Sequence, residues 1–409
     1  MDDLKHLAAQ RDAHDPLASC RERFVLPEGL IYLDGNSLGV LPAHVPERVA
    51  DAVSRGWGQQ LIRGWNAEGW IDLPRRVGDR IARLVGADKG SVVCTDSTSV
   101  NLAKVLQAAL AMVPERQVVL SDTGNFPTDL YIAQGQLGQS GQLRTVAHED
   151  IAGALTDDVG VLMLTEIDYR SGRRHDMADL TARARALGIV TIWDLAHSAG
   201  AFPVELRQAG ADFAVGCGYK YLNGGPGAPG FLYVRPALQD RVNSTLTGWL
   251  GHAAPFAFDP EYRPAAGIDR FRVGTPPILS MIALDAALDV WDGVNLDDVR
   301  AKSCTMGDLF IAAVETFADQ YGVSLASPRD SALRGSQVAW QCPNGYAVMQ
   351  AMIDRGVIGG FREPDIIRFG LTPLYLKYAD VVAAAEVLGE ILRDRTWNQP
   401  RFRARARVT

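Results

Sequence analysis

Lys220 stands in the run GCGYKYLNGGPG, residues 216–227, between two tyrosines and among glycines and other small residues. Glycine lets the backbone approach a ligand closely, at an entropic cost. A lysine held in such a setting can lose its proton and attack a carbonyl group. It could also be an ordinary solvated loop residue, so the neighbouring motifs must decide between the two interpretations.

A second motif, IWDLAHSAG at 192–200, ends an apolar run with Asp194 and places His197 shortly after it. An aspartate at a strand end can hold a pyridinium nitrogen by a charge-assisted hydrogen bond, although it could also cap a helix. Lys220 follows after one further apolar run. Pyridoxal phosphate (PLP) enzymes use this pair, in which the lysine forms a Schiff base and the aspartate keeps the ring nitrogen protonated. The pair therefore predicts a PLP site.

Three further segments could complete that site. Thr98 and Ser99 open a predicted helix whose hydroxyl and N–H groups could bind phosphate, but simple N-capping uses the same residue types. Phe126, in GNFPTDLY, could stack on the cofactor ring with Asp129 nearby, or the segment could only start a helix at its proline. Arg368, in IIRFGLTPLY, suits bidentate binding of an α-carboxylate or a structural salt bridge.

The elements that position these residues follow from the apolar pattern. Short runs rich in Val, Ile and Leu predict strands covered on both faces at 91–95, 117–122, 160–166, 188–194, 212–217 and 230–234. Helix-like stretches alternate with several of them, which predicts an α/β fold with a mostly parallel sheet. Ligands of such sheets bind beyond the carboxyl ends of the strands, where the residues above are found.

Pro46 is predicted to open a helix whose apolar face carries Val49, Val53, Trp57 and Leu61 at steps of four. The C-terminal RFRARARVT has alternating arginines, including Arg407, and predicts an exposed edge strand or a frayed tail.

Composition bounds the class of protein. A hydrophobic content of 47% with 22% charged residues is that of a globular chain, and the net charge of -7 argues against nucleic acid as the main partner. Five scattered cysteines without a CxxC pair fit reduced thiols in a cytoplasmic enzyme and predict no metal site. No signal-peptide pattern is visible, and no stretch approaches the roughly 20 apolar residues of a membrane span.

Together the motifs resemble those of bacterial kynureninases, which are fold type I PLP enzymes related to aspartate aminotransferase. The similarity runs nearly end to end. It includes LDGNSLG (33–39), RGW (63–65), TSVNL (98–102), NFPTD (125–129), YRSG (169–172), WDLAHSAGA (193–201), GCGYKYLNGGPG, GWLGH (248–252), FRVGTPPI (271–278) and RFGLTPLY (368–375). GNSLG and YKYLNGGPG in one chain are highly specific.

The resemblance implies a PLP-dependent transferase-like fold. A large PLP-binding domain, 46–290, would hold a mostly parallel seven-stranded sheet flanked by helices. A smaller α+β domain, 291–409, would be joined by an N-terminal arm, 1–45. The implied activity is hydrolysis of L-kynurenine to anthranilate and L-alanine, which can serve tryptophan breakdown or feed a biosynthetic route that uses anthranilate. It further implies a cytoplasmic homodimer with shared active sites, and no nucleic-acid or membrane partner.

The resemblance also assigns residues. Lys220 forms the Schiff base with PLP, Asp194 pairs with the ring nitrogen, and Tyr219 is expected to shuttle a proton. The implied cofactor-binding residues are Thr98, Ser99, Phe126, Pro127, Thr128, Asp129, Thr165, Asp194, His197, Tyr219, Lys220, Trp249 and Thr275, of which Trp249 and Thr275 would come from the neighbouring subunit. The implied substrate-binding residues are Arg368, Asn36, Ser37 and Trp65.

Substrate preference depends on two of these positions. Animal relatives have histidine where Trp65 stands and asparagine where Thr275 stands, and they favour 3-hydroxykynurenine. The tryptophan and threonine of this chain fit the bacterial type, which favours kynurenine.

Alternative functions remain within the same fold. A cysteine desulfurase or selenocysteine lyase needs a reactive cysteine on a mobile loop ahead of the carboxylate-binding arginine, and Cys342, in WQCPNGYAV, is the candidate there. An aminotransferase would use the same lysine and aspartate. A non-catalytic binding module would not require Lys220, Asp194 and Arg368 together.

Overall fold

The computed structural model describes residues 1–405 and divides the chain into two compact units. The smaller unit comprises Met1–Ala43, Tyr169–Arg174 and Val290–Thr409, and the larger comprises His44–Asp168 and His175–Asp289. The smaller unit therefore includes a short segment, YRSGRR, from the middle of the chain.

Helices and strands of the described residues are numbered in chain order. The helices are α1 (Asp2–Ala13), α2 (Val45–Asp51), α3 (Gly64–Ala67), α4 (Leu73–Leu84), α5 (Thr98–Met112), α6 (Pro127–Leu137), α7 (Met177–Ala186), α8 (Leu206–Ala209), α9 (Ile278–Ala287), α10 (Leu296–Glu315), α11 (Gly345–Asp354), α12 (Tyr378–Asp394) and α13 (Pro400–Arg403). The strands are β1 (Ile31–Tyr32), β2 (Val92–Cys94), β3 (Val118–Asp122), β4 (Gln142–Val146), β5 (Val159–Thr165), β6 (Val190–Asp194), β7 (Phe213–Cys217), β8 (Gly230–Val234), β9 (Ser324–Leu325), β10 (Gln337–Gln341), β11 (Val357–Ile358), β12 (Gly360–Arg362) and β13 (Ile366–Gly370).

The larger unit is built on a seven-stranded sheet in the order β2-β8-β7-β6-β5-β3-β4. β8 runs antiparallel to its neighbours β2 and β7, and the other pairings are parallel. All six predicted strands are present. The α/β prediction with a mostly parallel seven-stranded sheet is therefore confirmed.

The core of this unit lies between the sheet and α5. Leu102, Val105 and Leu106 of α5 pack in one apolar cluster with strand residues such as Ile192 and Val215. Every residue of β5 is buried. Burial of both faces explains why these strands are continuous apolar runs without alternation.

The smaller unit contains a four-stranded antiparallel sheet in the order β12-β13-β10-β9, and β1 pairs with β11 in a separate two-stranded ladder. Helices α10 and α12 pack against each other, and α1 packs on α12. The edge strand predicted at the C-terminal arginines is wrong for Arg401 and Arg403, which lie in α13, and Arg407 lies outside the described residues.

The single helix predicted from Pro46 is also wrong in its extent. α2 ends at Asp51, and a π-helical turn follows at Ala52–Trp57. Because a π turn is wider than an α turn, residues four apart no longer form one stripe. Val53, Trp57 and Leu61 are consequently exposed, and Leu61 has a positive φ of 52°.

Among residues 1–405, no helix combines the length and the apolar character that crossing a membrane requires.

Candidate active site

The predicted cofactor residues lie at one edge of the sheet. β3, β5, β6 and β7 are consecutive parallel strands, so their carboxyl ends meet at that edge. Thr165 ends β5 directly opposite Asp194, which ends β6. The turns after β3 and β7 carry Phe126 and Lys220. This is the edge at which open α/β sheets bind their ligands.

The glycine-rich loop after β7 packs too closely for side chains. An added Cβ at Gly218 would lie 2.6 Å from the carbonyl oxygen of Pro229, and one at Gly224 would lie 2.7 Å from the carbonyl oxygen of Gly218. Glycine is therefore required at both positions. The compact loop presents Lys220, whose Nζ is 3.0 Å from Nε2 of the buried His197. Lys220 is thus positioned by the fold and is not a solvated loop residue.

Two buried carboxyl groups, of Asp129 and Asp194, interact with the charge of this lysine. Oδ1 of Asp194 accepts the backbone N–H of Ala196 at 2.8 Å. Burial raises the pKa of Asp194, and the charge of Lys220 opposes that rise. Burial also raises the pKa of Asp129 well above its usual range, and the neighbouring Asp194 charge raises it further. The pair can accept a cationic N–H group from a ligand.

The start of α5 resolves the ambiguity over N-capping. The cap is Ser97, whose Oγ accepts the backbone N–H of Val100 at 3.3 Å. Thr98 and Ser99 therefore occupy the first helical turn and are not needed as the cap. The Thr98 hydroxyl donates to the carbonyl of Gly216 at 3.1 Å, which ties this turn to the end of β7. The positive end of a 15-residue helix is suited to bind a phosphate group.

The turn after β3 prepares the start of α6. Phe126 precedes the helix, with its backbone N–H donated to Oδ1 of Asn125 at 2.7 Å, and Pro127 is the first helical residue. Thr128 is half-buried and Asp129 is buried in this first turn. The Phe126 ring remains 42% exposed, so it offers a face on which a planar ligand can stack.

Tyr219 precedes the lysine and stays a neutral phenol. Burial is the main cause that raises its pKa well above the ordinary value, and the neighbouring Asp194 charge adds to the rise. Its ring centroid is 5.8 Å from Nζ of Lys220. At neutral pH Tyr219 is therefore a hydrogen-bond donor beside the lysine.

In the smaller unit, Arg368 is buried in the middle of β13. Its Nη2 donates to Oγ of Ser37 at 2.8 Å, and its Nη1 donates to the carbonyl oxygen of Tyr169. The Asp34 carboxylate is 4.0 Å from Nη2. The guanidinium is thus held in place by these hydrogen bonds, with the Asp34 carboxylate beside it.

Asn36 is completely buried, with its amide 2.9 Å from that of Gln337 and 3.0 Å from Nε of Arg368. Gln337 also donates to the carbonyl oxygen of Tyr169 at 3.2 Å. Gln337 and Arg368 therefore converge on one carbonyl group, with Asn36 between their side chains. Sequence reasoning did not find Gln337, because nothing near it in the chain signals that role.

The remaining predicted residues belong to the larger unit. Trp65, in α3, packs edge to face on Trp70 with ring centroids 6.0 Å apart. Trp249 packs in the same manner on Phe256 at 5.7 Å, and Thr275 is exposed. Each of the three keeps part of its surface accessible.

A cluster that the sequence did not reveal stabilises the turn before Phe126. Oδ2 of Asp122 is 3.0 Å from Nε2 of His175 and 3.4 Å from Nδ1 of His148, while Oδ1 accepts the N–H of Gly124 at 2.6 Å. Burial acts to raise the pKa of Asp122, but hydrogen bonds with both histidines hold it well below its usual range. The imidazole rings are stacked with planes only 17° apart, so both cannot point a lone pair at one metal ion. The cluster is therefore a hydrogen-bonded support.

This cluster makes stability depend on pH. Burial lowers the pKa of His175, despite its hydrogen bond to Asp122. A histidine in the unfolded chain titrates at about pH 6.5. Below that pH the unfolded chain binds more protons than the folded chain, so the free energy of unfolding falls. We expect the thermal midpoint to fall between about pH 7.5 and 5.5, and to fall less in His175→Gln. Scanning calorimetry measures it, with the exposed His6→Gln as the matched control. Equal pH slopes in wild type and His175→Gln would contradict this assignment.

The groups at the sheet edge match PLP by their chemistry. An amine can bind an aldehyde, a buried carboxylate can hold a pyridinium N–H, and a helix N-terminus with hydroxyls can bind a phosphate. Lys220, Asp194 and the Thr98–Ser99 turn offer groups of these three kinds. The residues present therefore fit the cofactor.

Two family models match the chain. The aminotransferase class-V model matches residues 31–324, and the kynureninase C-terminal domain model matches residues 299–388. A kynureninase of Pseudomonas fluorescens is 50% identical over 406 residues, covering 97% of this chain and 98% of its own. A kynureninase of Deinococcus radiodurans is 52% identical over 397 residues, covering 95% and 96%.

Solved structures agree in fold. A cysteine desulfurase from Thermococcus onnurineus superposes with a TM-score of 0.76 at 18% identity, and one from Escherichia coli with 0.76 at 20%; each comparison covers 92% of this chain and 98% of the other. At such identity the likeness shows the fold alone. Sequence identity near one half over almost the whole length is decisive: the chain belongs to the kynureninase family, in the aminotransferase class-V group of PLP-dependent enzymes.

Proposed function

We propose that this chain hydrolyses L-kynurenine to anthranilate and L-alanine. The observation that carries the proposal is that Asp194 ends β6 and Lys220 follows the neighbouring strand β7, in a chain 50% identical to a kynureninase of Pseudomonas fluorescens. Bound PLP supplies an electron-withdrawing ring that acidifies the carbon atoms next to the substrate's α-amino group.

Lys220 has two tasks in this proposal. Its amine would hold the cofactor through the aldehyde group and, when free, would take the substrate's α-proton and return a proton to Cα before alanine leaves. His197, 3.0 Å from Nζ, orients the amine. Asp194 keeps the ring nitrogen protonated, while Phe126 stacks on the ring and Thr98 and Ser99 bind the phosphate.

Water supplies the atoms that complete the reaction. It adds to the γ-carbonyl carbon, and the Cβ–Cγ bond then breaks, so that Cγ leaves as the carboxyl group of anthranilate. The electron pair stays with Cβ, which takes up a proton and becomes the methyl group of alanine. Tyr219 is a neutral phenol beside Lys220, which suits it to move that proton.

Substrate recognition is proposed to use Arg368, Trp65, Ser37 and Asn36. Arg368 binds the α-carboxylate, as its guanidinium can form two parallel hydrogen bonds. Trp65 packs on the aromatic end of kynurenine. Ser37 holds Nη2 of Arg368 at 2.8 Å, and the completely buried Asn36 contributes by orienting its neighbours.

We also propose a homodimer in which Trp249 and Thr275 of the partner subunit complete the phosphate site. The larger unit exposes an apolar surface around a recess of about 380 Å³ that is lined partly by Trp57, Leu61 and Ile62. Ile62 is 78% exposed, and contiguous apolar surface of this kind marks interaction sites. Sedimentation analysis of the holoenzyme tests the dimer.

A cytoplasmic location is supported by five unpaired cysteines.

The desulfurase alternative depends on Cys342, which the structure places between β10 and α11. Its side chain is completely buried, and burial raises its pKa to about 12. The attacking species in such chemistry is an exposed thiolate. Cys342 therefore does not supply it.

The first test is anthranilate fluorescence after L-kynurenine is mixed with PLP-loaded protein. Rapid product formation is expected. If the protein binds PLP yet forms no product from kynurenine or its 3-hydroxy derivative, the proposed activity is wrong, and sulfide release from cysteine and transamination of a 2-oxo acid are then measured.

Substrate preference gives a further prediction. Trp65→His combined with Thr275→Asn should raise the ratio of kcat/KM for 3-hydroxykynurenine to that for kynurenine by about 10-fold, because imidazole offers the added hydroxyl both a donor and an acceptor. Parallel fluorescence and absorbance assays measure the ratio. Trp397→His is the matched control, and an unchanged ratio in the double variant would reject the assignment of Trp65.

A further inference from the structure

Two acidic side chains, Asp129 and Asp194, share the buried floor of the cofactor site. Both are at least nine-tenths buried, and both lie beside Thr165. Two ionised carboxylates in contact would repel strongly in a medium of low dielectric constant, so such pairs normally hold one proton between them. The hydrogen bonds around the pair show which carboxyl group carries it.

The orientation of the Asn125 amide is fixed by two bonds. Its Oδ1 accepts the backbone N–H of Phe126 at 2.7 Å, and its Nδ2 donates to Oγ of Ser121 at 2.9 Å. Ser121 in turn gives its own proton to the carbonyl of Met163 at 2.7 Å. Because Oδ1 of Asn125 is an acceptor, the Thr165 hydroxyl 2.5 Å away must donate to it.

That donation determines what Thr165 can offer Asp129. A hydroxyl has one proton and two lone pairs, so Thr165 Oγ1, 3.3 Å from Oδ2 of Asp129, is left as an acceptor. The contact is favourable if Asp129 carries the proton. The Lys220 charge lowers the pKa of both carboxyl groups, but Asp194 also accepts the Ala196 N–H at 2.8 Å, which stabilises its anion.

We propose that Asp129 is a neutral carboxylic acid at neutral pH and that Asp194 carries the single negative charge of the pair. The pair then presents one charge to the one ring N–H of the cofactor. Asp129 positions that charge, because its neutral carboxyl group places no second anion against Asp194 at the end of β6. Burial raises the pKa of both carboxyl groups. This assignment deepens the proposed function and rests on its cofactor site.

Infrared spectroscopy of the full chain tests the proton directly. A protonated carboxyl group absorbs above the amide bands, and its band shifts in D₂O. We expect one such band in wild-type protein without PLP. The band should shift when aspartate is labelled with ¹³C at the carboxyl carbon, and it should disappear in Asp129→Asn. The buried Asp212, ion-paired with Arg235 at 2.8 Å, gives the matched control Asp212→Asn, which should keep the band.

PLP affinity gives an independent readout. Asparagine mimics a neutral acid, so Asp129→Asn should change the PLP dissociation constant less than about threefold, whereas Asp194→Asn should weaken binding roughly 10- to 100-fold. Absence of an aspartate band in the labelled wild type, or equal weakening in both variants, would overturn the proposal. Neither measurement uses substrate, so both remain valid even if the chain does not cleave kynurenine.

Discussion

Lys220→Ala should reduce kcat for L-kynurenine by roughly 10⁴-fold or more, because it removes both the amine that binds the cofactor and the base that moves the α-proton. The visible absorbance band of lysine-bound PLP should disappear as well. PLP itself should remain bound through Asp194 and the phosphate site at Thr98 and Ser99. Steady-state anthranilate fluorescence and an absorbance spectrum measure the two effects.

A chemical label separates loss of this amine from loss of folding. Borohydride reduction should attach PLP irreversibly to the peptide that contains Lys220 in wild type, and to no peptide in Lys220→Ala. The exposed Lys89, which lies outside the site, gives the matched control Lys89→Ala, which should be labelled and active. Added methylamine should restore part of the lost activity. Labelling of a different lysine in wild type would refute the role of Lys220.

Strands that are buried along their whole length can be predicted from the sequence, whereas a half-exposed strand at the edge of the sheet cannot. β5 and β6 are buried along their whole length, so each is an apolar run that its sequence reveals directly. β4 escapes sequence prediction because it lies at the edge of the described sheet, beside β3, where Gln142 is exposed and Arg144 is partly exposed. A half-exposed edge strand has no continuous apolar run to recognise.

The sequence predicts the site residues that directly follow an apolar run. Asp194 and Lys220 follow apolar runs, and the topology of a parallel sheet brings the ends of adjacent strands together. The partners that support such residues come from distant parts of the chain. His175 reaches Asp122 and Gln337 reaches Asn36 without any shared local pattern, so only the folded chain reveals these contacts.

Arg368→Lys should raise KM for kynurenine and lower kcat/KM by roughly 10- to 100-fold, since a hydrogen bond to a charged group contributes about 1.5–3 kcal/mol. Lysine keeps the charge but cannot form the two parallel bonds that a guanidinium makes with a carboxylate. Because Arg368 is buried and donates to Ser37 and Tyr169, the thermal midpoint must be measured beside the kinetics. Arg355→Lys, at an exposed arginine paired with Glu390, is the matched control.

An analogue of kynurenine without the α-carboxylate tests the assigned contact itself. Its binding, followed by the change in visible absorbance of the PLP-loaded protein, should be weak in wild type and almost unchanged by Arg368→Lys, because the group that Arg368 binds is absent. Kynurenine should lose affinity in the same variant. If both ligands lose affinity equally, Arg368 has a structural role on β13 and another cation binds the carboxylate. A loss confined to kynurenine separates carboxylate recognition from general damage to the protein.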